Sequence, residues 1–175
     1  MNEMWSFLGI EPYEEKCLVE LDPLSVLQDP GIYVLSAGNG TLYTYPRGDS
    51  SIFYIGCTRS LSSRLAKHKR RVRRLLKGKV QTDLPRYVYA AHHHGRVAAF
   101  LLSKEDPRES LQDLESKIIC LFAIRYGSRP VANAAASLKT LKRAVSLPLR
   151  GMVATNWIRA NDSPSIPSRR SLLRA

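Results

Sequence analysis

Tyr54, Arg64 and His68 are a phenol, a guanidinium and an imidazole that one strand and the helix after it would bring together. The run Ile52-Phe53-Tyr54-Ile55 is β-branched and aromatic and is closed by Gly56, which predicts a strand. The apolar period then becomes helical. On a wheel advancing roughly 100° per residue from Arg64, the side chains of Leu61, Leu65, Val72, Leu75 and Leu76 fall between roughly 20° and 120° and form one apolar face. Arg71, Arg64 and His68 fall at roughly −20°, 0° and 40°, on the seam where that face meets solvent. A guanidinium there suits negative charge growing on phosphate oxygens. An imidazole one turn later suits orienting a tyrosine or relaying a proton. The plain alternatives are a surface arginine and a packed or exposed histidine.

Other residues extend the pattern. Asp29-Pro30 marks a turn and Gly31–Ser36 a strand antiparallel to the first, which sets Tyr33 beside Tyr54. A phenol is a poor base at its ordinary value of about 10, but becomes one if nearby cations lower that value; otherwise two aromatics simply pack across strands. Asp106-Pro107-Arg108-Glu109 has an N-cap, an N1 proline and an N3 glutamate in register for a helix running to Tyr126 and ending at Gly127. Its apolar face is Leu111, Leu114, Ile118, Ile119, Leu121 and Phe122, with Glu115 inside that arc. An ionised carboxylate there costs on the order of several kcal/mol unless paired, either by a divalent cation such as Mg²⁺ or by an arginine such as Arg64. Within Lys67–Lys77, Arg70, Arg71, Arg73, Arg74 and Lys77 are phosphate-contact candidates or a solvated basic face. Asn133 braces the site, touches a phosphate backbone, or is an ordinary turn residue. His92-His93-His94 has no acid or cysteine beside it in sequence and is not read as a metal site.

Gly31-Ile32-Tyr33, then Tyr54-Ile55-Gly56, then Arg64 ten residues after Tyr54, then His68, Glu115 and Asn133 together resemble the GIY-YIG endonuclease superfamily. The resemblance covers about Gly31–Asn133, and the 20 residues between Tyr33 and Tyr54 are a longer connection than the family's compact hairpin. It implies an α/β fold with a small three-stranded, mainly antiparallel sheet flanked by helices. It also implies a metal-dependent endonuclease that hydrolyses DNA phosphodiesters. Tyr54 or Tyr33 would activate water, Mg²⁺ or Mn²⁺ would sit on Glu115, and Arg64 would stabilise the transition state. DNA is the expected partner, with no small-molecule cofactor. The competing readings are a structure-specific or RNA-directed nuclease, a non-catalytic nucleic-acid-binding protein that keeps the fold, and an RNA-scaffold protein.

At 175 residues one domain is expected, with a core large enough to need no disulfides. Cys17, Cys57 and Cys120 form no metal-binding spacing and read as reduced thiols of a cytoplasmic protein. No secretion signal or membrane span is expected. Residues 1–29 are an acidic lead-in of net charge −6 that packs on the core, with a short helix at Pro23–Gln28. The remainder carries +18, which points to a polyanionic partner. Residues 30–136 are the catalytic domain, with helices from Ser60 to a stop at Gly78 and over Asp83–His93, and a third strand at Val97–Leu102. Residues 137–175 are a basic extension with a helix through Ala136–Val145 at its start and a disordered tail from about Asn161.

Overall fold

The computed structural model describes residues 15–81, 83–102 and 110–133, together with the short strand Met152–Val153. The helix expected at Ala136–Val145 and the basic tail lie outside the described residues. In chain order the elements are β1 (Lys16–Cys17), β2 (Gly31–Ser36), β3 (Tyr43–Tyr45), β4 (Gly48–Ser50), β5 (Ile52–Thr58), α1 (Leu61–Leu76), α2 (Pro85–His92), β6 (Arg96–Leu102), α3 (Leu111–Tyr126) and β7 (Met152–Val153).

Three long strands carry the sheet, in the order β6-β2-β5, all antiparallel. β1 pairs with one end of β6 and β7 with the other, so two two-residue pieces share its outer edge. The α/β class with a small antiparallel sheet is as expected, and the two edge pieces are additions. β2 is buried along its whole length because both faces and both edges are covered, which is why it reads as an unbroken apolar run. The long connection between β2 and β5 holds a separate ribbon, β3 with β4.

Helices cover both faces. Ile32, Val34, Ile55, Ala98 and Phe100 pack against Leu114, Ile118 and Phe122 of α3. On the opposite face Tyr33, Leu35, Val97 and Ala99 meet Leu61, Leu65 and Val72 of α1 and Tyr87 and Ala90 of α2. Leu18, Leu21 and Val26 of the lead-in are buried in the same layer. Their segment also fixes the start of α1, because the carbonyls of Asp29 and Leu27 accept from the amides of Leu61 and Ser62 at 3.1 Å each. Those amides have no partner inside the helix. Ser60 caps the helix, and Gly78 leaves it in a left-handed conformation (φ +64°).

Three expectations are corrected. Pro23–Ser25 is a turn rather than a helix, because the Asp22 side chain accepts from the Leu24 amide at 3.0 Å. α3 starts at Leu111: Ser110 is extended, its hydroxyl accepts from the Asp113 amide and donates to the Asp113 carboxylate, and it is the N-cap of this helix, while Asp106–Glu109 lie outside the described residues. His68 does not lie at a solvent seam. It is fully buried, because α2 lays Tyr87 over it at 5.2 Å between ring centres.

Candidate active site

The register of β2 with β5 sets Tyr33 opposite Gly56 and Leu35 opposite Tyr54. The two tyrosines are therefore diagonal neighbours on one face, with ring centres 6.0 Å apart. Both motif glycines have a steric reason. A side-chain carbon on Gly31 would collide with the Phe100 carbonyl, and one on Gly56 would stand 2.6 Å from the Tyr33 hydroxyl.

Tyr33 is fully buried and its hydroxyl joins two residues of α1. Arg64 Nε donates to it at 2.9 Å, and His68 Nε2 lies 3.0 Å from the same oxygen. Burial pushes the Tyr33 phenol well above its ordinary range; a charge on Tyr54 would push it further, and Arg64 only partly opposes this. Tyr33 thus stays a neutral phenol that holds Arg64 in place. Burial works against the Arg64 charge, yet the phenol oxygen of Tyr33 leaves the guanidinium above its ordinary value. His68 is pushed down to about 3, first by burial and then by Arg64, Arg86 and Lys67. It is a neutral imidazole, and its Nδ1 is buried without a protein partner.

Tyr54 is 8% exposed against 0% for Tyr33, so it is the phenol nearer solvent. Arg86 of α2 lies over its ring at 5.1 Å and over the Tyr87 ring at 5.0 Å. Arg86 has no carboxylate partner among the described residues. The sequence offered no signal for it, since a single arginine on a short helix has no distinguishing spacing.

Glu115 departs from its expected place. It is half-buried rather than inside the core-facing stripe, and the buried charged residue of α3 is Lys117. The Cys57 thiol is pushed up to about 12, first by burial and then by the Glu115 carboxylate. The Arg64 charge acts on the same thiol in the opposite direction, lowering it. No ion pair joins Arg64 and Glu115 among the described residues. No cluster of three or more His, Cys, Asp or Glu side chains is present among them either. A half-buried carboxylate without a cationic partner among the described residues fits a hard divalent ion that takes its other ligands from water and phosphate oxygens.

Asn133 lies along the outer edge of β5. The Ile55 amide donates to Asn133 Oδ1 at 3.0 Å, and Asn133 Nδ2 donates to the Ile55 carbonyl at 2.7 Å. Its amide is thus directed at the strand residue after Tyr54, which has the geometry of bracing rather than of phosphate contact. Of the basic run, Arg71 is ion-paired with Asp83 at 3.3 Å, whereas Arg70, Arg73, Arg74 and Lys77 are exposed. No helix among the described residues is long and apolar enough to cross a membrane. Compared with family models, curated proteins and solved structures, the chain matches none.

Proposed function

We propose that this chain is a metal-dependent DNA endonuclease. The observation that carries the reading is the Arg64–Tyr33–His68 cluster, anchored on one buried hydroxyl and set beside Tyr54. Arg64 lies over the Tyr33 ring and Arg86 over the Tyr54 ring, and neither guanidinium has a carboxylate partner among the described residues. Two unneutralised cations beside a pair of phenols suit a phosphodiester.

In this reading Arg64 binds the non-bridging oxygens of the scissile phosphate and stabilises the charge that grows on them. Tyr54 takes the proton of the attacking water, since Tyr33 is committed to holding Arg64. His68, neutral and fixed by Tyr33, keeps that hydroxyl in place. Glu115 is the residue that would hold Mg²⁺ or Mn²⁺, and a bound ion there supplies Lewis-acid stabilisation of the phosphate and the leaving oxygen. Asn133 keeps the Tyr54 segment of β5 from shifting at the sheet edge.

Incubation of the full chain with supercoiled plasmid, a branched DNA and a folded RNA, each with and without Mg²⁺, tests the reading. Metal-dependent nicking or linearisation of DNA supports it. Cleavage confined to the branched DNA or the RNA moves the substrate class, and binding without turnover of any of the three overturns the catalytic reading.

A further inference from the structure

We propose that the solvent side of α1 is a second nucleic-acid-binding site, which holds duplex backbone several base pairs from the bond that is cut. The location of that bond rests on the nuclease reading above. Lys69, Arg70, Arg73, Arg74, Lys77 and Lys79 line an open groove of about 290 Å³ over Ala66, and no acid lines it. Two of these cations are already fixed in position by the lead-in. Lys69 donates to the Leu21 carbonyl, and Arg73 donates to the Val19 carbonyl at 2.9 Å. Those acceptors are neutral, so the six positive charges stay unmatched by the groove's own walls.

The groove does not face the Arg64 cluster. Counted from Arg64, Arg73 stands roughly 180° around the helix, Lys77 roughly 220°, Arg70 roughly 240° and Arg74 roughly 280°. Arg71, at roughly −20°, is the member of the run on the catalytic side, and it is taken by Asp83. A phosphate at Arg64 is therefore a different phosphate from one in the groove. Along the axis, the ten residues from Arg64 to Arg74 span about 15 Å. Successive phosphates of a duplex strand advance about 3.4 Å, so for a duplex lying along α1 the separation is about four to five base pairs. No aromatic side chain lines the groove, so it lacks the stacking surface that single-stranded segments use. Unmatched cations and no stacking surface favour the backbone of a duplex.

The site predicts a minimum substrate. A duplex must extend about five base pairs beyond the cut on the groove side to reach it. Shorter duplexes lose affinity and keep their rate once bound.

The test uses the full chain carrying Arg70→Ala, Arg74→Ala and Lys77→Ala together, because these exposed side chains leave the lead-in contacts untouched. Binding of labelled duplexes of increasing length is measured without divalent metal across a salt series, beside single-turnover cleavage at saturating protein. Thermal melting checks the fold of the variant. The expected result is an affinity loss of about tenfold or more and a log–log salt slope smaller by about 2 to 3. The saturated rate should change less than about threefold, and trimming the groove-side flank should weaken the wild type but not the variant. Unchanged affinity and slope at every length would overturn the groove. A rate that falls with the affinity at saturating protein would overturn its separation from the catalytic side. If the wild type cuts nothing, the nuclease reading fails, while the binding series still decides the groove.

Discussion

Tyr33 lies directly across Gly56, and a side-chain carbon there would stand 2.6 Å from the Tyr33 hydroxyl oxygen and 2.8 Å from the Tyr54 ring. The glycine is thus a space requirement of the Arg64–Tyr33–His68 cluster. Gly56→Ala should displace the hydroxyl that both α1 residues use. We expect a stability loss of about 1–3 kcal/mol, as overpacking commonly costs, and a larger proportional loss of cleavage than of folded protein. Denaturant melts and single-turnover rates on the same preparation check this. Wild-type values for both would mean that the ring does not occupy that space in solution.

The two tyrosines should behave differently when each loses its hydroxyl. Tyr54→Phe removes the proton acceptor and should slow cleavage by about 10²-fold or more. Tyr33→Phe leaves the water-activating group in place but frees Arg64 and His68, so the rate loss should be smaller and accompanied by destabilisation of about 1–3 kcal/mol. The reverse order of rate losses would make Tyr33 the base.

His68 gives a pH signature with a definite sign. Its folded value of about 3 lies below the ordinary 6.5, so between these values the unfolded chain takes up a proton that the folded chain refuses. The protein is therefore spared this loss above pH 6.5. It loses stability as pH falls towards 3, by up to about 1.4 kcal/mol per pH unit. His68→Gln should flatten that part of the stability–pH curve. Parallel curves for the two proteins between pH 4 and 6.5 would show that the imidazole is not held neutral.

Asn133 supplies both a donor and an acceptor to Ile55 at the outer edge of β5. Asn133→Ala should cost about 1–3 kcal/mol by leaving those backbone groups unpaired, and amide exchange at Ile55 should quicken. Slow exchange at Ile55 in that variant would assign the bracing to the neighbouring bond from the Ala132 amide to the Phe53 carbonyl.

Much of this architecture was legible where one short-range pattern decides the outcome. Alternating and continuous apolar runs located β2, β5 and β6, while Ser60 and Gly78 bounded α1 to within two residues. α3 starts at Leu111, where Ser110 and Asp113 form the cap, and the capping pattern of Asp106 with Glu109 lies outside the described residues. The helical wheel puts His68 at the seam with solvent because it carries no information about α2, which supplies Tyr87 as its cover. Glu115 was placed in the core by the same wheel, although its side chain turns to Cys57 at the end of β5. Arg86 and Cys57 join the site through packing between elements distant in sequence. No spacing rule reports such contacts.

The most direct measurement is Mg²⁺-dependent single-turnover cleavage of plasmid DNA by wild type, Glu115→Gln and Arg64→Ala, with binding measured in parallel without metal. The account predicts cleavage by the wild type and losses of about 10²-fold or more in each variant, as removed charge stabilisation commonly produces. DNA affinity should change far less than the rate. Cleavage at near wild-type rate by either variant, or none by the wild type, would contradict it.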